Sequence, residues 1–316
     1  MSKCSFCERE AVYYRANEGN YYCKYHFVKS IEKKVKKTIR EYNLIKPGDK
    51  IAVALSGGKD SASLLYMLHK FSKDNPKIEI FAILVDEGIP EHRDPSIEKA
   101  KELVKMLDIE LHIFSFKEEF GFTIQEIGKA VLKKGKHPCE YCGVLRRWLL
   151  NKKARELGAT KLATAFNLDD ETESIIMNVI KGDMIRIARE APLSSIISHP
   201  KFVPRIKPLI FIPEEEVRLY ADLNKLPYEG SRCPFRKYNS LRVETHEYLN
   251  GLEKKSSGIK HMLMKNGLKL AEIVRKSLDF SNNPIRECSI CGEPSTSRIC
   301  KACQLRKEIK EILSSS

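Results

Sequence analysis

The chain has 316 residues, 42% of them hydrophobic and 31% charged, a balance that excludes the disordered and fibrous classes and suits about two domains. No stretch reaches the ~18 consecutive apolar residues of a membrane span. The first residues carry a cysteine pair and charges where a signal peptide would be apolar, so a cytoplasmic protein without membrane partners is expected.

Two features stand out from that background, 10 cysteines and a formal net charge of +14. The charge favours a polyanionic partner such as nucleic acid. Cysteines at short fixed spacings, without a secretory signal, favour metal ligands or catalytic thiols over disulfides.

In chain order, residues 1–27 read as a metal module. Cys4-x2-Cys7 and Cys23-x2-His26 supply three thiolates and one imidazole, which close a tetrahedral zinc shell with no open position and so imply a structural role. A basic helix follows. Phe27, Ile31, Val35, Ile39 and Tyr42 recur at helical spacing. The opposite face is lysine-rich, and either faces solvent or contacts phosphates.

From Lys50 short apolar runs alternate with helical patterns. Strands are expected over 51–55, 80–85, 111–115 and 161–164, with helices at about 61–72, 97–107, 143–157 and 170–180. This is an open α/β domain with a central parallel sheet, whose ligands bind at the carboxyl ends of the strands. Residues 181–250 give a weaker pattern ending in a helix from about Leu241, and 256–280 read as another basic helix.

Cys288-x2-Cys291 and Cys300-x2-Cys303 then supply a second closed zinc shell. Each terminal module is too small to build a core without such a staple. The division is therefore a zinc module at 1–27, a catalytic domain at 28–250, a basic helical segment at 251–284 and a second zinc module at 285–316.

Directly after the first strand stands Ser56-Gly57-Gly58-Lys59-Asp60-Ser61. Two glycines before a helix let backbone amides converge on an anion, and the helix dipole favours it. Ser56 and Ser61 add hydroxyls, and Lys59 adds a point charge. The pattern lacks the spacing of a Walker loop.

The hexapeptide resembles the PP-loop of the ATP pyrophosphatases, which cleave ATP between the α and β phosphates. Ala165-Phe166-Asn167-Leu168-Asp169-Asp170 after a later strand resembles the second signature of that class, although many members carry histidine where Phe166 stands. The resemblance implies ATP at Ala54, the loop residues, Val85, Ala165 and Asp170, with Mg²⁺ placed by Asp60 and by Asp169 or Asp170. Asp60 and Asp169 also read as helix caps.

Three cysteines remain: Cys139-x2-Cys142, at the start of a helix whose amino terminus would lower thiol pKa values, and the distant Cys233. Three thiolates are compatible with a 4Fe-4S cluster that keeps one iron open, with a persulfide and disulfide relay, or with small buried hydrophobes.

The whole arrangement, from one cysteine module through the PP-loop, Pro138-Cys139-Glu140-Tyr141-Cys142-Gly143 and Ser231-Arg232-Cys233-Pro234 to the other module, resembles the tRNA 2-thiouridine synthetases of the TtuA type and their archaeal and cytosolic relatives. That resemblance implies a 4Fe-4S cluster on Cys139, Cys142 and Cys233 and two zinc ions. It further implies a homodimer, tRNA as substrate, and a ubiquitin-like sulfur carrier or sulfide as donor.

The implied reaction is adenylation of the uridine C2 oxygen with release of pyrophosphate, then attack of sulfur on C2 and departure of AMP. Arg146 and Asp170 would orient or protonate the reacting oxygen. Lysines and arginines at 129–155, with Glu140 the only acid among them, suggest a basic rim for RNA phosphates. The alternative is another PP-loop reaction, such as amide formation, with structural cysteines only.

Overall fold

The computed structural model describes residues 2–194, 199–238, 240–278 and 285–314. The end of the basic helix expected over 256–280 and the last two residues of the chain lie outside them.

A hairpin of β1 (Tyr13–Arg15) and β2 (Asn20–Tyr22) leads into α1 (Lys24–Glu41), which buries Phe27, Ile31, Val35 and Thr38. Arg15 fastens this segment to the rest of the chain. Its buried guanidinium donates to both carboxylate oxygens of Glu216, at 2.7 and 2.9 Å.

The central sheet contains β3 (Lys50–Ala54), β4 (Glu79–Asp86), β5 (Leu111–Ser115), β6 (Lys161–Ala163), β7 (Leu193–Ser194) and β8 (Arg205–Ile206), in the order β5-β4-β3-β6-β8-β7. Five strands are parallel and β7 closes the edge antiparallel. The chain leaves β3 toward β4 and β5, then returns to the other side of β3 as β6. That reversal opens a crevice at the carboxyl ends of β3 and β6, where the two signature sequences lie.

Alternation along β3 divides the core. Ile51 and Val53 pack with α1, α2 (Lys59–Lys73) and α3 (Pro90–Leu107). Ala52 faces the other layer, which includes α4 (Phe116–Phe120), α5 (Ile124–Lys133) and α6 (Pro138–Glu156).

α7 (Leu168–Ile180) follows β6, α8 (Met184–Ala188) precedes β7, and α9 (Glu214–Leu223) follows β8. Beyond them α10 (Ser240–Lys255) and α11 (Ile259–Ser277) pack on α7, and α11 also on α8. The carboxyl-terminal module pairs β9 (Arg286–Glu287) with β10 (Pro294–Ser295) and ends in α12 (Lys301–Ser314), which packs on α5 and α6.

Three differences from the sequence reading are physical. Both α3 and α6 begin earlier than expected because a proline, preset in φ and needing no donor, occupies the first turn. β7 and β8 have two residues each, too few to show alternation.

Candidate active site

The phosphate loop turns at Gly57, whose φ is +84°, and a Cβ there would stand 2.1 Å from the Ser96 carbonyl oxygen. Only glycine fits. Ser61 Oγ receives the Ser56 N–H at 3.1 Å and lies 3.0 Å from Ser56 Oγ. Gly58 caps α2 without a side chain, so the helix amino terminus stays open to an anion. Lys59 Nζ is 2.8 Å from both Asp60 and Glu214. Enclosure opposes its charge, but the two carboxylates outweigh it and raise its pKa.

Asn167, rather than either aspartate, caps α7. Its side chain accepts from the Asp170 N–H at 3.0 Å, and Asp170 reaches back to the Asn167 N–H at 3.3 Å. Asn167 Nδ2 also donates to Asp60 Oδ1 at 3.0 Å, joining the two signatures. Enclosure, then the charges of Asp60 and Glu173, push Asp170 up to about 7. Asp169 is turned away and buried, accepting from the Glu214 N–H at 2.8 Å and pairing with Lys260. Asp170 is thus the carboxylate that faces Asp60.

Ala54 ends β3, and Val85 near the end of β4 uses its carbonyl to receive Arg93 at 2.7 Å. Ala165 is packed against the core just beyond β6. Phe166 remains 39% exposed.

The segment holding Cys233 spans both halves of the site. At its start the Glu229 N–H donates to Gly57 O at 2.8 Å; at its end Cys139 Sγ approaches Phe235 O at 3.5 Å. Gly128 on α5 makes room, since a Cβ there would sit 2.6 Å from the Phe235 ring.

All three cysteines are half-buried. Burial pushes Cys139 and Cys233 up and Cys142 up to about 12, so it overrides the lowering expected at a helix amino terminus. Among the described residues, the sets whose ligand atoms all lie within 4.8 Å are the two terminal ones. The sulfurs of Cys139, Cys142 and Cys233 do not all lie within 4.8 Å of one another, unlike those of the terminal sets, so they do not form a compact shell for one tetrahedral ion.

A residue pair not singled out in the sequence reading connects the halves. Arg146 Nη1 donates to Glu87 at 3.0 Å, and Glu87 pairs with buried Arg93 at 2.9 Å. Arg93 in turn donates to Ser56 O at 2.9 Å. No local pattern marks Arg93; the fold alone brings it to the loop.

The expected basic rim is narrower than the charge count suggests. Lys152 and Lys153 pair with Glu119 and Glu156, Arg155 with Glu293, Lys136 with Glu308 and Arg146 with Glu87, while Lys129, Lys133, Lys134 and Arg147 have no ion pair among the described residues. A groove of about 1090 Å³ between α1 and α11 lies elsewhere and includes none of these residues.

Both terminal sets fit a tetrahedral ion. His26 Nδ1 is 3.3 Å from Cys4 Sγ and 3.4 Å from Cys23 Sγ, and Cys7 is 3.8 Å from Cys23. In the second set Cys291 and Cys300 are 3.6 Å apart, and the Cys300 N–H donates to Cys288 Sγ at 3.2 Å. Burial would raise Cys288, but such N–H groups outweigh it and hold the thiol at about 6, ready to ligate as thiolate.

Fold and site together define a PP-loop nucleotide-binding protein, and the family model for the PP-loop domain matches residues 27–232. The tRNA 2-thiolation protein NcsA of Haloferax volcanii is 35% identical over 98% of this chain and 100% of its own length. The tRNA-5-methyluridine(54) 2-sulfurtransferase of Pyrococcus horikoshii is 34% identical over 99% and 97%. The U34-tRNA thiolase NcsA of Methanococcus maripaludis, solved with its [4Fe-4S] cluster, superposes with a TM-score of 0.82 at 35% identity, covering 98% of this chain and 96% of that one. The chain belongs to this family of tRNA 2-thiolation proteins.

Proposed function

We propose that the chain is an ATP-dependent tRNA-uridine 2-sulfurtransferase. The observation that carries this reading is the Cys233 segment, hydrogen-bonded to the phosphate loop at Gly57 and meeting the cysteine helix at Cys139. The ATP cradle and the three thiols therefore border one crevice.

The strand ends at Ala54, Val85 and Ala165 receive the adenosine. The amides of Gly57 to Ser61, with Lys59, hold the phosphates and take up the charge that develops on pyrophosphate. Asp60 and Asp170 are the carboxylates that would hold Mg²⁺. Arg146, held by Glu87 and close enough to feel Cys142 and Cys233, would orient the activated oxygen.

Cys139, Cys142 and Cys233 would ligate a 4Fe-4S cluster, which supplies an open iron able to carry sulfur to C2. The terminal sets would hold structural zinc. The division at 1–27, 28–250, 251–284 and 285–316 is the functional one we infer, with a homodimer in the cytoplasm. The donor we infer is a ubiquitin-like sulfur carrier or sulfide.

The test is anaerobic reconstitution followed by tRNA nucleoside analysis. Cys233→Ala should abolish 2-thiouridine formation while retaining zinc. An amide-forming PP-loop enzyme would instead keep full activity in that variant.

A further inference from the structure

Beside the cysteine helix lies a set of arginines that the proposed reaction does not use. Arg147 follows Arg146 on α6, and Arg205 pairs in register with Leu162, so it leaves the sheet on the α6 side, where Leu162 is buried. Arg186 and Arg189 come from α8 and its carboxyl end. Arg147, Arg186 and Arg189 are exposed and Arg205 is half-buried.

Arg186 pairs with Asp183. Among the described residues no side-chain ion pair or hydrogen bond reaches Arg147, Arg189 or Arg205. Enclosure, together with the charges of Arg205, Arg146 and Arg186, holds Arg147 below the ordinary arginine range. The mutual charges of these guanidinium groups place them near one another; Arg205 also feels Glu171 and Glu190 without an ion pair to either, and the unpaired Arg147 and Arg189 are left to receive an anion.

Lys207 links this set to Phe166. Lys207, two residues beyond Arg205, places its Nζ 5.7 Å from the Phe166 ring centre. Lys207 is itself fixed by Glu171 at 2.6 Å and Glu190 at 3.6 Å. The ring is thus supported at one side, exposed at the other, and one residue from Asn167, which touches Asp60. An exposed ring beside an anion site is the combination that receives an unstacked nucleotide.

We propose that Phe166 and the arginine set form the seat of the target nucleotide, Phe166 stacking on the extruded uracil ring while Arg147 and Arg205 hold its phosphate. This rests on the thiolation reading and adds the residues that seat the base between the ATP cradle and the thiols. An extruded base must be held against its own stack, and phosphate contacts alone would not do so.

The experiment uses the full chain and two transcripts: the tRNA that the unsubstituted enzyme thiolates, and the same tRNA made abasic at the thiolated position. Binding is measured by filter retention on cluster-free protein over a range of salt, and ATP KM in the reconstituted enzyme. Loss of the base should weaken binding to the unsubstituted protein on the order of tenfold. Phe166→Tyr should keep that discrimination, and Phe166→Ala should bind both transcripts alike.

Arg147→Ala combined with Arg205→Ala should weaken both transcripts equally and reduce the salt slope by about one for each phosphate no longer neutralised. ATP KM should stay unchanged throughout. Undiminished discrimination by Phe166→Ala, with a raised ATP KM, would assign the ring to adenine and overturn the stacking. An unchanged salt slope in the double variant would overturn the phosphate-holding role of the arginines. Absence of thiolation by the unsubstituted, reconstituted enzyme would instead strike the underlying reading and the proposal with it.

Discussion

Arg146 donates to Glu87 at 3.0 Å, and this one bond ties the helix that carries Cys139 and Cys142 to the end of the central strand β4. The same carboxylate pairs with Arg93, whose other nitrogens reach Ser56 O and Val85 O. Glu87 is only 4% exposed. Removing one member of such a buried set leaves charge uncompensated, at a cost of about 3–5 kcal/mol. Glu87→Ala should therefore lower the Tm strongly and raise the KM for ATP. Glu87→Gln, which keeps an acceptor, should lose less; a Tm in Glu87→Ala equal to that of the unsubstituted protein would show the bridge to be idle.

Gly57→Ala tests the phosphate loop. Its φ of +84° and the Ser96 oxygen 2.1 Å from the added carbon leave no place for a methyl group. The loop must shift, so ATP affinity, read by calorimetry, should fall at least tenfold, an effect of about 1.4 kcal/mol or more. Unchanged affinity would mean that phosphates bind elsewhere.

Asp170 gives a pH test. Its carboxyl, raised to about 7, keeps its proton where an unfolded aspartate, at about 3.9, has lost it. The stability from that extra proton is complete below the unfolded value and is lost as pH rises through the folded one. Asp170→Asn escapes the loss, so its Tm advantage in nucleotide-free protein should grow between about pH 4 and about pH 7. Solvent screening at a side chain 37% exposed limits the gain to about 1 kcal/mol. A Tm difference independent of pH would contradict the raised pKa.

The carboxyl-terminal module should act on the cysteine helix. Glu293 accepts from Arg155, and Glu308 accepts from Tyr141, between the two cysteines of α6, at 2.7 Å. Stripping zinc with a chelator, or Cys288→Ser, should lower the Tm and speed loss of labile iron from Cys139 and Cys142. Iron retention equal to that of the zinc-loaded protein would separate the module from the site.

The residues of the site were legible in sequence where function needs a contiguous pattern. Ser56–Ser61, Asn167–Asp170 and the cysteine pairs of the candidate site each lie within a few residues of one another, and β3 to β6 are apolar runs between turns. What was not legible depends on distance along the chain. Glu214 meets Lys59 across 155 positions, and Arg93 and Lys260 reach the loops only through the packing of α3 and α11. The apparent rim at 129–155 is thinned because Glu119 and Glu293 arrive from other elements to pair with part of it. The thiol pKa values went the other way for a similar reason: burial comes from tertiary packing, which a helix position does not reveal.

We propose that ATP cleavage and a three-cysteine cluster act in one crevice to thiolate tRNA. The most direct measurement is nucleoside analysis of tRNA after incubation with ATP and a sulfur source, using protein reconstituted anaerobically and assayed for iron, sulfide and zinc. About four irons and four sulfides besides about two zinc ions per chain are expected, with 2-thiouridine formed at the cost of ATP to AMP, and both cluster and product lost in Cys142→Ala. Undiminished thiolation by protein holding zinc but no labile sulfide would contradict it.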